Sequence, residues 1–139
     1  MKYSFKKSIA CVLGGAVLLG VLPSWAHHST TMFEHDKLIT ISGVVTEVMW
    51  TNPHVAIVVE GAQSTEKPEA WLLEMTSPGN LTRGGLWSRK SFKAGDKVTV
   101  ELSPLRDGRK GGALRKITNN QTKLSLNANL REQEGVLDK

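Results

Sequence analysis

Four histidines are the residues of this chain best suited to chemistry: His27, His28, His35 and His54. The first pair follows Ala26, where a stretch that reads as an export signal ends. A cut at that point makes His27 the first residue of the mature protein, with an α-amine and an imidazole at one point in space. The amine and Nδ1 of one residue close a chelate ring on a divalent transition metal. Nitrogen donors suit Cu(II), Ni(II) and Zn(II), and Cu(II) leads on affinity. A second imidazole opposite the chelate completes a T-shaped, three-nitrogen site. His54 is the expected second arm, because His28 is adjacent in sequence and has to strain round to the far side; His28 and His35 are candidates to assist. The alternative is structural: N-terminal histidines exposed without a role, and a His54 that caps a strand or bonds the turn backbone. No fixed spacing, such as two histidines one helical turn apart, decides between the two readings. Met32, Met49 and Met75 are soft enough for Cu(I), with core or rim packing as their expected role.

Other chemistry is poorly represented. Glu34, Asp36, Glu47, Glu60 and Glu74 show no paired spacing that assigns an acid and a base. The sequence contains no nucleophile elbow, P-loop or dinucleotide-binding glycine fingerprint. Binding is therefore expected rather than catalysis, with a copper-dependent oxidoreductase built on His27 as a third possibility that lacks an identified substrate face. Arg106, Arg109, Lys110, Arg115 and Lys116 form a basic cluster. It reads either as a face for an anionic polymer or, preferably, as a solvated hairpin tip, since few aromatics interleave it and nucleic acid is not the expected partner of an exported chain. Trp50, Asn52, Arg106 and Arg115 are the candidate ligand contacts on the domain face. Trp50, Trp71 and Trp87 are expected in the core or as pocket walls.

The elements that must position these residues divide the 139-residue chain into four parts. Residues 1–26 have a basic start (Lys2, Lys6, Lys7), an apolar run from Ile9 to Leu22, a break at Pro23, and small residues Ser24 and Ala26 at the cut. The apolar run is shorter than the ~20 residues of a comfortable transmembrane helix, so a cleaved signal and a periplasmic product without a membrane anchor are expected. Residues 27–37 read as an extended lead-in, with Met32 and Phe33 able to tuck against the domain. Residues 38–126 carry the domain, and 127–139 a polar tail. Loss of the first segment removes three lysines and no acid, lowering the formal charge from +5 to +2. It also removes Cys11, the single cysteine, so neither a disulfide framework nor a thiolate metal site is available to the mature chain.

Within the domain, Leu38 to Trp50 alternates as a long first strand, Ile39, Ile41, Gly43 and Val45 on one face and Leu38, Thr40, Ser42 and Val44 on the other. Gly43 is the expected point of a bend or bulge. Thr51-Asn52-Pro53 is a turn, and strands follow at His54–Glu60 and Glu69–Met75. Ser77 and Pro78 open a short helix, and a second helical piece is expected around Ser88 to Phe92. Further strands are expected at Lys97–Leu102 and Ala113–Thr118, with a short sixth at Lys123–Leu126. The order β-β-β-α-β-β predicts an all-β fold with one short helix, a small OB-like antiparallel barrel of five to six strands; another small barrel or sandwich is the alternative.

The segments His27-His28-Ser29, Met32-Phe33, Trp50-Thr51-Asn52-Pro53-His54, Ser77-Pro78-Gly79-Asn80-Leu81, Lys93-Ala94-Gly95-Asp96-Lys97-Val98 and Pro104-Leu105-Arg106-Asp107-Gly108 resemble a family of small exported bacterial proteins of unknown function. The resemblance spans the mature chain to about Leu126. It departs at Ala94, where a proline is expected, and at Leu86-Trp87, where the tryptophan is displaced by a residue. It implies an exported β-barrel and brings no activity with it. The leading expectation is an exported, non-enzymatic protein that binds copper or a similar metal ion. The runner-up is a metal-free module for an envelope polymer, small ligand or protein partner.

Overall fold

The long first strand is shared by the two halves of the domain. In the computed structural model, which describes residues 30–128, β1 (Ile39–Met49) pairs through its first half with β4 (Lys97–Pro104) and through its second half with β2 (Ala56–Ala62). Ser42, Gly43 and Val44 are paired on both sides. β3 (Glu69–Glu74) follows β2, and β5 (Gly111–Asn119) and β6 (Ser125–Asn127) follow β4. Every neighbouring pair is antiparallel except β3 with β5, which run parallel and close the barrel through Leu72–Gly111, Leu73–Gly112 and Glu74–Ala113. The result is the expected OB-like architecture, a closed five-stranded barrel with β6 added at the edge of β5 and one helix between β3 and β4.

Alternation along β1 selects the interior. Ile41 and Val45 are fully buried, while Thr40, Ser42 and Val44 face solvent. The bulge expected at Gly43 does not fall there: pairing is in register on both sides through Ser42, Gly43 and Val44. A Cβ there would fall on the backbone oxygen of Glu60, so the glycine permits close approach of β1 to β2. The irregularity comes later, between Val45 and Glu47, where Thr46 is an extra residue against β2. This bulge reverses the parity of the strand. Val48 and Trp50 turn to the core, and Met49 turns outward.

Ile57, Val59, Trp71, Leu73, Met75, Val98, Val100, Leu102, Leu114 and Ile117 fill the barrel with Ile41 and Val45. α1 (Pro78–Arg83) begins as expected, with the Asn80 amide donating to the Ser77 Oγ at 3.3 Å and Pro78 in the first turn, where its missing N–H costs nothing. Leu81 is the buried residue of α1 and joins Trp87 and Phe92 in the same core. The second helical piece expected at Ser88 to Phe92 is instead a serine-bonded turn. The Ser91 Oγ accepts from the Ser88 amide (2.9 Å) and the Ser88 Oγ from the Lys90 amide (3.2 Å), giving the backbone local partners that compete with a helix.

Strand ends also differ from the sequence reading. β2 starts at Ala56, which leaves His54 in the loop. β6 is displaced to Ser125–Asn127, because the Asn119 side chain accepts from the Gln121 and Thr122 amides and Lys123 takes a left-handed conformation (φ 64°), extending the preceding turn. Asn127 and Ala128 still pack on the barrel: the Trp87 indole N–H donates to the Asn127 carbonyl (2.7 Å), and the Ala128 amide to that of Arg115 (2.9 Å).

Candidate functional site

The outward side chains of β1, β2 and β3 meet in a cross-strand row. Met49 pairs with Ala56, and Ala56 with Glu74. Leu72 lies two residues before Glu74 on the same face of β3, opposite in direction to the buried Trp71 and Leu73. This row floors a cleft of ≈ 470 Å³. One rim is the β1–β2 loop, Thr51 to His54, in which the Asn52–Pro53 peptide is cis. The other rim is Leu105 and Arg109 of the β4–β5 loop, and Met32 of the N-terminal segment completes the wall. Met32, Met49, Pro53, Ala56, Leu72 and Leu105 are its apolar lining, and Thr51, Asn52, His54, Glu74 and Arg109 its polar side chains.

His54 is oriented from behind. Its Nδ1 lies 2.9 Å from the carbonyl oxygen of Met75, the residue that follows β3. A carbonyl only accepts, so Nδ1 carries the proton and Nε2 carries the lone pair of the neutral ring. A backbone carbonyl bonded to one imidazole nitrogen is the support that metal-binding histidines commonly have.

The N-terminal segment is fastened beside the cleft. Its short 3-10 turn, Thr30–Met32, leads into Phe33, which is buried with Ala113 under Met32 and Leu105. Phe33 bridges to Leu105, and the Glu34 amide donates to the Pro104 carbonyl at 2.8 Å. Arg106 clasps the turn twice: its amide donates to the Met32 carbonyl (3.0 Å) and its Nε to the Thr31 carbonyl (2.7 Å). Met32 and Phe33 thus tuck against the barrel as expected, but the segment expected to be extended turns at Thr30–Met32 and meets Leu105 through a single bridge at Phe33.

The sequence-derived candidates separate accordingly. His54 and Asn52 line the cleft together. His35 does not; it packs edge-on against Phe33, ring centroids 6.0 Å apart. Trp50 packs on the core, and its carbonyl accepts from Arg89 (3.4 Å). Arg106 is engaged with the N-terminal turn, and Arg115 lies on β5, away from the cleft lining. His27 and His28 lie outside the described residues. Among the described residues, no three His, Cys, Asp or Glu side chains gather in a metal-holding group, although His54 and Glu74 share the cleft. Of the three methionines, Met75 is fully buried in the core, while Met32 and Met49 line the cleft. Glu74, Leu72 and Leu105 were not among the site residues expected from the sequence. Alternation on β3 places Glu74 outward, but only the register of three strands puts it beside Met49.

The basic cluster is largely matched within the fold. Arg109 pairs with Asp107 (2.8 Å), Lys110 with Glu69 and Glu66 (3.6 and 3.9 Å), and Lys116 with Glu101 (3.8 Å). Lys110 Nζ also lies 5.0 Å from the Trp71 ring centroid. The Arg109 amide and then its guanidinium hold the exposed Asp107 carboxyl below the ordinary carboxylate range. Among the described residues, no helix is long and apolar enough to cross a membrane.

The fold and this cleft define the protein as a small OB-like barrel with a histidine-bearing groove on its outer face. The profile of a family of unknown function, DUF6152, matches residues 16–115, and the chain belongs to that family. No curated protein and no solved structure is detectably similar to it.

Proposed function

We propose that this protein is exported, that cleavage after Ala26 exposes His27, and that the mature chain binds a Cu(II)-type ion at the cleft. The α-amine and Nδ1 of His27 form the chelate, and Nε2 of His54 forms the opposing arm. The observation that carries this reading is the setting of His54. Its Nδ1–H is committed to the Met75 carbonyl, and it shares a cleft with Met32 of the segment that leads back to His27. His27 lies three residues before Thr30, where the turn beside the cleft starts, and a chain of that length reaches up to ~10 Å when extended. The N-terminal nitrogens therefore have the reach to meet His54. His28 lies on the same tether and is the assisting candidate; His35, against Phe33, is less well disposed.

The test is to express the chain with its own first 26 residues in an exporting bacterium, establish the N-terminus by mass spectrometry, and titrate Cu(II) with paramagnetic resonance as the readout. One equivalent with nitrogen hyperfine structure is expected, lost in His27→Ala and in His54→Ala. A mature chain starting elsewhere, or a spectrum indifferent to both substitutions, overturns the reading.

A second reading, metal-free binding of a small envelope ligand or polymer, is favoured by the position of the cleft. It occupies the β2–β3 face between the β1–β2 and β4–β5 loops, the face OB barrels use for oligomeric ligands. Its volume also falls in the range of small-molecule sites, ~300–1,000 Å³.

A further inference from the structure

We infer that the cleft holds a second donor set, the thioethers of Met32 and Met49 with His54, and that this set binds Cu(I). The inference deepens the proposed function and shares His54 with it, but it does not depend on His27 or on signal cleavage.

Three observations converge. The bulge at Thr46 turns Met49 out of the core and into the cleft, and the N-terminal tether brings Met32 to the same cleft. Met75, by contrast, is fully enclosed in the barrel and has no access to it. The cleft also has His54, whose Nδ1–H donates to the Met75 carbonyl, so that the lone pair of the neutral ring is on Nε2. Two thioethers and an imidazole are soft to borderline donors without charge, a set that favours Cu(I) over Cu(II) and over Zn(II). Leu72, Leu105 and Ala56 give the cleft an apolar floor and wall, with Thr51, Asn52, Glu74 and Arg109 as its other polar lining. The nitrogen donors of the proposed Cu(II) site and the thioethers of the cleft thus meet at His54, giving one protein two binding modes that differ in oxidation state.

The test is an anaerobic competition titration of Cu(I) against a chromophoric Cu(I) chelator, run on the mature chain and on variants. Met→Leu substitutions conserve volume and are well tolerated. Met32→Leu with Met49→Leu is expected to lower Cu(I) affinity by at least tenfold and leave Cu(II) binding unchanged. His27→Ala is expected to do the reverse, His54→Ala to weaken both, and Met75→Leu neither. X-ray absorption of the Cu(I)-loaded native chain, which needs no variant, is expected to show sulfur neighbours. Cu(I) affinity indifferent to the double Met substitution, or a Cu(I) shell of nitrogen and oxygen alone, overturns this inference and leaves the Cu(II) reading standing. Retained, methionine-dependent Cu(I) binding in a chain that binds no Cu(II) supports this inference and overturns the other.

Discussion

Adjacent residues of β3 belong to two different regions. Trp71 and Leu73 face the barrel interior and are buried, whereas Leu72 and Glu74 face outward onto the cleft. The inner face packs onto the apolar core, which is closed at α1 by Leu81, Trp87 and Phe92. The outer face mixes thioethers, an imidazole, a carboxylate and aliphatic side chains, and part of its cover is a tethered segment rather than a barrel strand. The two-residue period of a strand lets one stretch of sequence serve both purposes, since substitution on one face need not disturb the other. Stability should therefore be concentrated inside and ligand chemistry outside.

The sharpest way to break that separation is to exchange neighbours. Leu73→Ala removes a fully buried side chain and is expected to cost ~2–5 kcal/mol in chemical denaturation. Leu72→Ala, at a position 41% exposed, is expected to cost under ~1 kcal/mol. Similar costs for the two would contradict the assignment of faces. Next in size is His54→Ala, which removes the hydrogen bond to the Met75 carbonyl and is expected to lower stability by ~1 kcal/mol while removing copper binding; a large loss of stability without a binding defect would return His54 to a structural role. Arg106→Ala is expected to loosen the tether alone. Hydrogen exchange at Glu34 should quicken by roughly fivefold, the equivalent of ~1 kcal/mol, with the barrel strands unaffected. The smallest effect concerns acid. Asp107 has a lowered folded-state pKa, so its pairing contributes above the ordinary carboxylate range and is lost as pH falls through the lowered value. Chemical shifts of the 106–110 loop should move in that window, while the melting temperature follows the other carboxylates, because Asp107 is fully exposed.

Much of the inner face was legible in the sequence. Ile39, Ile41 and Val45, and later Val98, Val100 and Leu102, alternate with polar residues, and Ser77-Pro78 marks the helix start. The outer face was less so. Met49 shares the odd-numbered positions of the buried Ile41 and Val45, and only the bulge at Thr46 takes it out of the core. Gly43 drew attention as a bend because a glycine in a strand signals either a bulge or a close approach, and the sequence alone does not distinguish them. The serine turn at Ser88–Ser91 was hidden for a similar reason: its hydroxyls bond amides within three residues, a local solution that hydrophobic period does not report. His54 was recognised as a candidate, but its support from Met75 depends on a contact 21 residues away.

The most direct test is Cu(II) titration of the processed protein, with its N-terminus established, compared with the same protein carrying His54→Ala. The account predicts one bound equivalent in the native chain, with nitrogen hyperfine structure that loses a coupling when His54 is removed. Identical spectra and affinities for the two proteins would contradict it.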